Sequence, residues 1–281
     1  MKYYLFILSI SKAFAANIMK LIDTQIRVSP TRRLDCFVTH DQALIEQAQR
    51  LRYQVFAKEM GARLKTDKEG LDYDEIDHFC DHLVVVDTTN EKIVGYTRLL
   101  NQEQARKLGY FYSQKEFNLD RVLALPGRFL EIGRTCVDPK YRGSTVLTTL
   151  WSALVNYAQL GDYHYLIGCA SISPGPSGYA VDAVYRSIDS KNKASDALSV
   201  VPLIEVPEHL RCERDESGIP PLLKAYLRFG VQICGRPFWD EDFNVMDLFI
   251  LLPLAQLEDR YSKHYLKPHL FTDDRSLSPA L

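Results

Sequence analysis

The sequence predicts an α/β (α+β) fold in which a sheet of about seven strands is flanked by helices. Apolar runs of strand length recur along the chain, and two of them, His82–Asp87 and Lys92–Leu100, lie on either side of a short polar turn. Such an arrangement is typical of a β-hairpin. Between other runs, apolar residues recur at helical spacing, as in the segment that follows Asp41. The two periodicities together favour an α/β architecture.

The composition is that of an ordinary globular protein. The chain has 281 residues, of which 46% are hydrophobic and 25% charged, and this fits neither a fibrous nor a disordered protein. A net charge of −2 gives no general attraction to nucleic acid, so any charged partner must be bound by a local patch. We therefore expect no nucleic-acid partner.

The cysteines and histidines predict no metal site. The six cysteines are scattered singly without a C-x-x-C pair, so we expect reduced and mostly buried thiols. His78 and His82 flank Cys80 and Asp81, but the sequence shows no third ligand for a metal ion.

The stretch from Arg128 to Trp151 combines a strand, a basic turn and the start of a helix. Its apolar strand contains Glu131 and Arg134, and charges there need partners or a function because they are costly to bury. The basic turn leads to Ser144, a suitable helix cap. Free N–H groups and the helix dipole converge at such a turn, which therefore suits an anion. The residues expected to hold the anion are Lys140, Arg142, Gly143 and Ser144.

A second set of charges lies near the hairpin. Arg98 lies inside an apolar run, and a buried arginine is rare without a carboxylate partner. Asp77 and Asp81 come at the end of an acid-rich loop, directly before the first hairpin strand. We expect Arg98 to pair with Asp77, Asp81 or Glu131, or to bind a substrate carboxylate. It can do both, because pairing within the protein does not exclude binding of a substrate. Two carboxylates at the mouth of a strand would suit an acceptor that carries an amine.

The turn at Arg142 matches neither the P-loop pattern nor G-x-G-x-x-G, which leaves a pyrophosphate or a phosphopantetheine group as the anion. The E-x-x-R strand with its R-G turn resembles the acyl-donor motif of the GNAT superfamily of N-acyltransferases, in particular its homoserine-lactone synthase and ornithine lipid branches. The resemblance spans about residues 34–266. The other segments that share it are Arg52–Phe56 (R-x-x-V-F), Tyr112–Phe117 (Y-S-x-x-E-F), Tyr226–Gly230 (Y-x-x-x-G) and Phe243–Asp247 (F-N-x-x-D).

The resemblance implies a mixed, mostly antiparallel GNAT sheet. The segment 173–219, between the fifth strand and the next helix, is too long for a plain connection, so we expect an insertion that forms a lid or pocket wall. The resemblance also implies transfer of a 3-hydroxyacyl chain from acyl carrier protein to the α-amine of ornithine, giving lyso-ornithine lipid, the first step of ornithine lipid synthesis. Of the Q-x-x-G-x-G turn of acetyl-CoA users only Arg142-Gly143 remains, which argues against coenzyme A. No resident cofactor is expected, because phosphopantetheine arrives on the carrier protein.

Two alternatives stay open for the reaction. One is a homoserine-lactone synthase-like acyltransferase. The other is acylation of lysine or another amino acid, because a pocket discriminates one methylene group by only about 1–3 kcal/mol.

The resemblance also implies roles for single residues. Glu131 is expected to be the general base, or else a structural partner of Arg134, and Tyr226 the general acid for the leaving thiolate, or else a packing residue. Backbone N–H groups around Gly133–Thr135 would polarise the thioester carbonyl. The expected donor-binding residues are Lys140, Arg142, Gly143 and Ser144, and the expected acceptor-binding residues are Arg52, Asp77, Asp81 and Arg98.

The apolar N-terminus allows three interpretations: a secretory signal, an interfacial anchor, or an extension ahead of a start at Met19. Residues 2–10 are too few to span a bilayer, and Ala13-Phe14-Ala15 mimics a signal-peptide cleavage site. We favour the last two interpretations, with a cytoplasmic enzyme that contacts the inner membrane peripherally, because the acyl donor and the scattered thiols suit the cytoplasm. The expected divisions are an N-terminal extension (1–33), an acyltransferase domain (34–266) and a flexible tail (267–281).

Overall fold

A computed structural model describes residues 24–29, 32–66, 68–142, 145–213 and 218–257. The expectations for the first 23 residues, for Gly143 and Ser144, and for the chain after residue 257 concern positions outside the described residues and stay predictions.

Most strands of the described chain belong to one mixed sheet. In chain order the strands are β1 (Thr24–Ser29), β2 (Arg32–Thr39), β3 (Asp81–Asp87), β4 (Lys92–Asn101), β5 (Phe117–Asn118), β6 (Phe129–Val137), β7 (Tyr165–Ile172), β8 (Val201–Pro202), β9 (Gln232–Ile233), β10 (Phe238–Asp240) and β11 (Val245–Pro253). β5 pairs with β8, and the other nine form the sheet, in the order β1-β2-β3-β4-β6-β7-β11-β10 with β9 also on β11. Only β6 and β7 pair in parallel among these described strands.

Helices cover both faces of this sheet. They are α1 (Gln42–Tyr53), α2 (Gln102–Leu108), α3 (Asp120–Leu123), α4 (Thr145–Leu160), α5 (Val181–Ser187) and α6 (Pro221–Phe229). Side chains of β3 alternate between the faces: Leu83 and Val85 join the core under α4, and Val84 joins the core under α1. No helix in the described ranges has both the length and the apolar character needed to cross a membrane.

The predicted fold class is confirmed, and the sheet is larger than the seven strands expected. The segment 231–238 forms two short strands instead of one, because Gly235, at φ 137°, and Pro237 interrupt it. Strand β1 adds a further strand, which lies upstream of the domain boundary expected at residue 34.

Local signals in the sequence explain where the main helices begin and end. The Asp41 carboxylate accepts hydrogen bonds from the N–H groups of Ala43 and Leu44, both at 3.0 Å, and so caps α1. Gly230 adopts the left-handed conformation, at φ 93°, and ends α6. Both positions agree with the sequence prediction.

The insertion after β7 lies along the edge of the sheet. Its backbone forms isolated bridges to Ile233, Gly235 and Phe238. The Asn192 side chain donates hydrogen bonds to backbone carbonyl groups on either side of the end of α6. The segment therefore holds the short β9 and β10 strands in place.

The parallel strands β6 and β7 separate halfway along their length. Their pairing ends at Ile132 and Gly168, although both strands continue. Glycine is required at the last pair, because a Cβ atom on Gly168 would lie 2.4 Å from the carbonyl oxygen of Ile132. We call the gap between residues 133–137 of β6 and 169–172 of β7 the fork.

Candidate active site

A cavity of about 280 Å³ occupies the fork. One wall is the second half of β6, the opposite wall is β7 with β11, and α6 closes one side through Leu222, Leu223 and Tyr226. The described residues of the insertion, 173–213 and 218–219, contribute no lining side chain, although we expected a lid or pocket wall there. Instead, the turn at Tyr112–Lys115 and the segment around Phe56 complete the walls.

Glu131 lies at the base of the fork, one residue before the last pair of β6 with β7. It is 3% exposed, and its carboxylate accepts hydrogen bonds from the N–H groups of Tyr112 at 2.6 Å and Ser113 at 2.8 Å, and from the Ser113 hydroxyl. The expectation that Glu131 clamps Arg134 is therefore wrong. The carboxylate instead fixes the turn that forms the cavity wall.

The environment of Glu131 suits a group that accepts a proton. Burial raises the pKa of this carboxyl, and hydrogen bonds from Ser113 and Tyr112 oppose the rise. A carboxylate offers about four lone-pair sites, and these bonds use three of them. Glu131 also lines the cavity, so the remaining site can serve a bound amine.

Arg134 lies at a strained position of β6, where its φ of 53° coincides with a register shift against β4. The guanidinium stacks over the ring of Phe243, 4.6 Å from its centroid. Its Nε lies 3.2 Å from a carboxylate oxygen of Asp72. The backbone bulge thus turns this positive group into the cavity wall.

Behind this wall lies a network of three arginines and three aspartates, all within the described residues. Arg52 contacts Asp72 at 2.9 Å and Asp77 at 2.8 Å. Arg98 contacts Asp74 at 2.7 Å and Asp77 at 2.9 Å. Arg134, through its contact with Asp72, links the network to the cavity. Each buried positive charge therefore has a carboxylate partner, as burial requires.

The positions of Arg52 and Asp77 in this network contradict the expectation that these two residues contact the acceptor. Arg52 is fully buried, and neither it nor Asp77 is among the cavity-lining residues of the described chain. Burial alone would raise the pKa of Asp77, but the guanidinium groups of Arg52 and Arg98 outweigh it and hold the pKa well below its usual value. Both residues stabilise the site from behind. Arg98 pairs with Asp77, as one alternative predicted, and also reaches the cavity.

Asp81 also lies away from the cavity. It accepts a hydrogen bond from His40 at 2.6 Å and another from the Tyr157 hydroxyl on α4. Asp77 and Asp81 are therefore not a pair of carboxylates at one mouth. The turn at Glu75–Phe79 and the start of β3 direct their side chains to different partners.

The basic turn after β6 is described only in part. Arg142 lines the open end of the cavity and its Nη2 lies 2.7 Å from a carboxylate oxygen of Glu59. Lys140 is exposed beside it and lies outside the lining of the cavity. The expected anion site thus has one positive group at the cavity mouth and another on the adjoining surface.

Tyr226 lies on the inner face of α6 and lines the cavity. It is 3% exposed and packs edge-on against Trp151, with ring centroids 5.0 Å apart. Burial raises the pKa of the phenol to about 12, and a hydrogen bond with Thr135 opposes the rise. The hydroxyl is therefore protonated at neutral pH. Its position fits both a general acid and a packing residue.

Replacing Tyr226 by phenylalanine separates these two roles. We expect kcat to fall at least about tenfold with little change in KM or melting temperature, because a general acid acts mainly in the transition state. The matched control is Tyr185→Phe, on α5 outside the cavity lining. Full kcat for Tyr226→Phe in single-turnover measurements would make Tyr226 a packing residue.

The structure adds a group of residues to which the sequence interpretation gave no role. Glu116, Asp240 and Asp247 all line the same cavity. The signal was present for Asp247, which is a charge inside the apolar run NVMDLFILL, as Glu131 is in its own strand. The proximity of the three depends on the pairing of β11 with β7 and β10, which the sequence did not predict.

Comparison with known proteins agrees with this fold and site. The family model described as "Acetyltransferase (GNAT) domain" matches residues 51–152, from α1 through the first wall of the fork to α4. The solved structure of an N-acyl amino acid synthase from uncultured soil microbes superposes with a TM-score of 0.50 at 10% identity, covering 84% of this chain and 98% of that one. The fold and the family model thus define the class: a protein with a GNAT-type domain.

Curated relatives narrow the class further. An L-ornithine N(alpha)-acyltransferase from Brucella abortus (strain 2308) is 34% identical over 250 residues, covering 83% of this chain and 88% of the relative. A protein of the same name from Rhizobium meliloti (strain 1021) is 33% identical, covering 83% of this chain and 84% of the relative. The chain therefore belongs to the L-ornithine N(alpha)-acyltransferase family, and the resemblance found in its motifs is confirmed.

Proposed function

We propose that this chain transfers a 3-hydroxyacyl group from acyl carrier protein to the α-amine of ornithine. The observation that carries the proposal is the composition of the cavity in the fork, which is lined by both guanidinium groups and carboxylates. The chain also belongs to a family whose curated members are named L-ornithine N(alpha)-acyltransferase. Arg98 and Arg134 suit the acceptor carboxylate, and Glu131 suits the α-amine. The product would be lyso-ornithine lipid.

The reaction needs two proton transfers. The neutral α-amine attacks the thioester carbon, so a C–N bond forms, the C–S bond breaks and the amine loses a proton. We assign acceptance of that proton to Glu131 and donation of a proton to the leaving thiolate to Tyr226. Backbone N–H groups at Gly133–Thr135, beyond the last pair of β6 with β7, are assigned to the carbonyl oxygen.

The donor is assigned to the open end of the cavity. Arg142 lines that end and Lys140 lies on the surface beside it, a suitable arrangement for the phosphate of phosphopantetheine. The carrier protein supplies this group, so the proposal needs no resident cofactor. We assign the reaction to the cytoplasm, where carrier proteins are charged with acyl chains, with peripheral contact of the enzyme at the inner membrane for release of its lipid product.

Lipid analysis tests the proposed function. Cells that make no N-acylated amino acids are transformed with the gene for this chain, and their lipids are analysed by mass spectrometry. We expect a 3-hydroxyacyl amide of ornithine. An acylated lysine would show that lysine is the acceptor, and an acyl homoserine lactone would show that the chain is a homoserine-lactone synthase. The absence of any new amide would contradict the proposal altogether.

The choice of donor gives a separate prediction. Carrier proteins are acidic, so we expect turnover with acyl carrier protein to fall as salt rises and to fall several-fold for Lys140→Glu, mainly through KM. Lys107→Glu, an exposed lysine on α2, is the matched control and should behave as wild type. Equal turnover with low-micromolar acyl-coenzyme A, insensitive to salt, would refute the carrier-protein donor.

A further inference from the structure

The cavity contains three carboxylates that have no role in the proposed proton transfers. We propose that Glu116, Asp240 and Asp247 together bind the side-chain ammonium group of the amino-acid acceptor. This inference rests on the proposed function and adds the group that would distinguish ornithine from amino acids with neutral side chains.

The three carboxylates come from separate parts of the chain and meet at one point. Glu116 follows the turn at Tyr112–Lys115, Asp240 ends β10, and Asp247 lies on the neighbouring strand β11. One oxygen from each lies within 4.8 Å of the other two. All three side chains line the cavity in the fork. A cation entering the cavity can therefore contact all of them at once.

One oxygen of this group lacks a partner where burial requires one. Glu116 is 4% exposed, and among the described residues its Oε2 has no hydrogen-bond partner. A buried carboxylate oxygen left unpaired costs free energy unless a ligand satisfies it. Because this residue lines the cavity, a bound cation can be that ligand.

The other two carboxylates are held in position by the protein. The Ser171 hydroxyl donates a hydrogen bond to Asp247 Oδ1 at 2.6 Å. The backbone N–H of Phe243 donates to Asp240 Oδ1 at 2.9 Å. Each of these bonds uses one oxygen and orients the carboxylate, which leaves acceptor capacity for a ligand.

The electrostatics of the cluster favour a positive ligand. Burial raises the pKa of Glu116 well above its usual value, and the charge of Asp247 raises it further. Burial raises the pKa of Asp247 to about 7, and the bond from Ser171 opposes the rise. Both shifts reflect negative charge that is costly to hold in a buried place without a positive partner. A cation at the centre would remove that cost.

An ammonium group fits this cluster better than a divalent metal ion. An ammonium has three N–H donors, and the cluster presents three carboxylates. Calcium takes six to eight oxygen ligands, and magnesium needs an octahedron of them. Arg134 also acts electrostatically on Asp247, and a single positive charge is repelled less by this guanidinium than a double one.

The arrangement divides the cavity between the two ends of the acceptor. Arg98 and Arg134 face the carboxylate end, whereas the acidic cluster holds the distal ammonium. The Ser113 hydroxyl donates a hydrogen bond to Glu131. The same hydroxyl lies 3.3 Å from the thiol of Cys169, and both Ser113 and Cys169 line the cavity. Burial, and then the charge of the nearby Glu116, raise the pKa of the Cys169 thiol. The base and the cluster thus lie on one connected wall, so a bound distal ammonium leaves the α-amine to Glu131.

Norvaline tests the inference, because it has the carbon skeleton of ornithine without the distal amine. For wild type we expect kcat/KM to be at least about 100-fold higher for ornithine than for norvaline, since an unsatisfied buried polar group penalises the wrong substrate strongly. Asp247→Asn should reduce this ratio to below about tenfold while the rate with norvaline is retained or rises. Glu116→Gln should act in the same direction. Asp189→Asn, an exposed carboxylate in the insertion, is the matched control.

The outcomes separate this inference from the proposed function. If wild type acylates ornithine but both variants keep the wild-type ratio, or lose both substrates equally while folded, the cluster does not bind the ammonium. If wild type acylates neither amino acid, the proposed function itself fails, and the inference with it. Should Asp247→Asn not fold by circular dichroism, the ratio for Glu116→Gln decides. Binding of Mg²⁺ or Ca²⁺ to wild type in calorimetry, lost in Asp247→Asn, would overturn the inference in favour of a metal site.

Discussion

Replacement of Glu131 by glutamine is expected to lower turnover by at least about 100-fold and to lower the melting temperature as well. The rate should fall because an amide cannot accept the proton of the α-amine, and general-base catalysis contributes roughly 10²–10⁴-fold. Stability should fall because both carboxylate oxygens accept backbone N–H groups, from Tyr112 and Ser113. An amide places an NH₂ group against one of those donors. A hydrogen bond to a charged group is worth about 1.5–3 kcal/mol, which corresponds to several degrees.

The matched control is Glu103→Gln, an exposed carboxylate on α2 that pairs with Arg128. It should keep both turnover and melting temperature. Wild-type turnover for Glu131→Gln would remove Glu131 as the base, and a lost fold with no residual rate in single-turnover assays at low temperature would make its role structural only.

Replacement of Arg52 by methionine is expected to have the largest effect on stability. Methionine has a similar length, but the change leaves Asp72 without its 2.9 Å partner and Asp77 without one of its two guanidinium contacts. Removing one partner of a buried ion pair costs about 3–5 kcal/mol. The melting temperature should therefore fall by roughly 10 °C. Differential scanning calorimetry measures this directly.

Two controls make the Arg52 result specific. Arg106→Met, at an exposed position of α2, should leave the melting temperature unchanged within a degree or two. The double variant Arg52→Met/Asp72→Asn should recover part of the loss, because Arg52→Met leaves three aspartates facing only Arg98 and Arg134, and the second change removes one of those three charges. If Arg52→Met alone were as stable as wild type, the ion-pair network would not stabilise the wall of the cavity.

The sequence predicted those parts of the site that depend on local patterns. Glu131 and Arg98 stood out as charges inside apolar strand patterns, and both line the cavity. The capping of α1 by Asp41 and the end of α6 at Gly230 also followed from short-range signals. Each of these features is determined by residues a few positions apart, which is the range over which periodicity and capping act.

The remainder depends on contacts between distant segments. Asp77 and Asp81 are four residues apart, yet one pairs with arginines from α1 and β4 and the other with a tyrosine on α4. Asp247 came to lie beside Glu116 only because β11 pairs with β7. The spacing of residues along the sequence does not determine strand order or side-chain partners across a sheet. The prediction that Asp77 and Asp81 together bind the acceptor was therefore wrong in detail.

The most direct test of the central claim uses ornithine labelled with ¹⁵N at the α-position only. The purified chain is incubated with this substrate and a 3-hydroxyacyl carrier protein, and the product is analysed by tandem mass spectrometry. If the acidic cluster holds the distal ammonium and Glu131 faces the α-amine, the label will be found in the amide nitrogen. An unlabelled amide nitrogen, or free fatty acid without any amide, would contradict this account of the cavity.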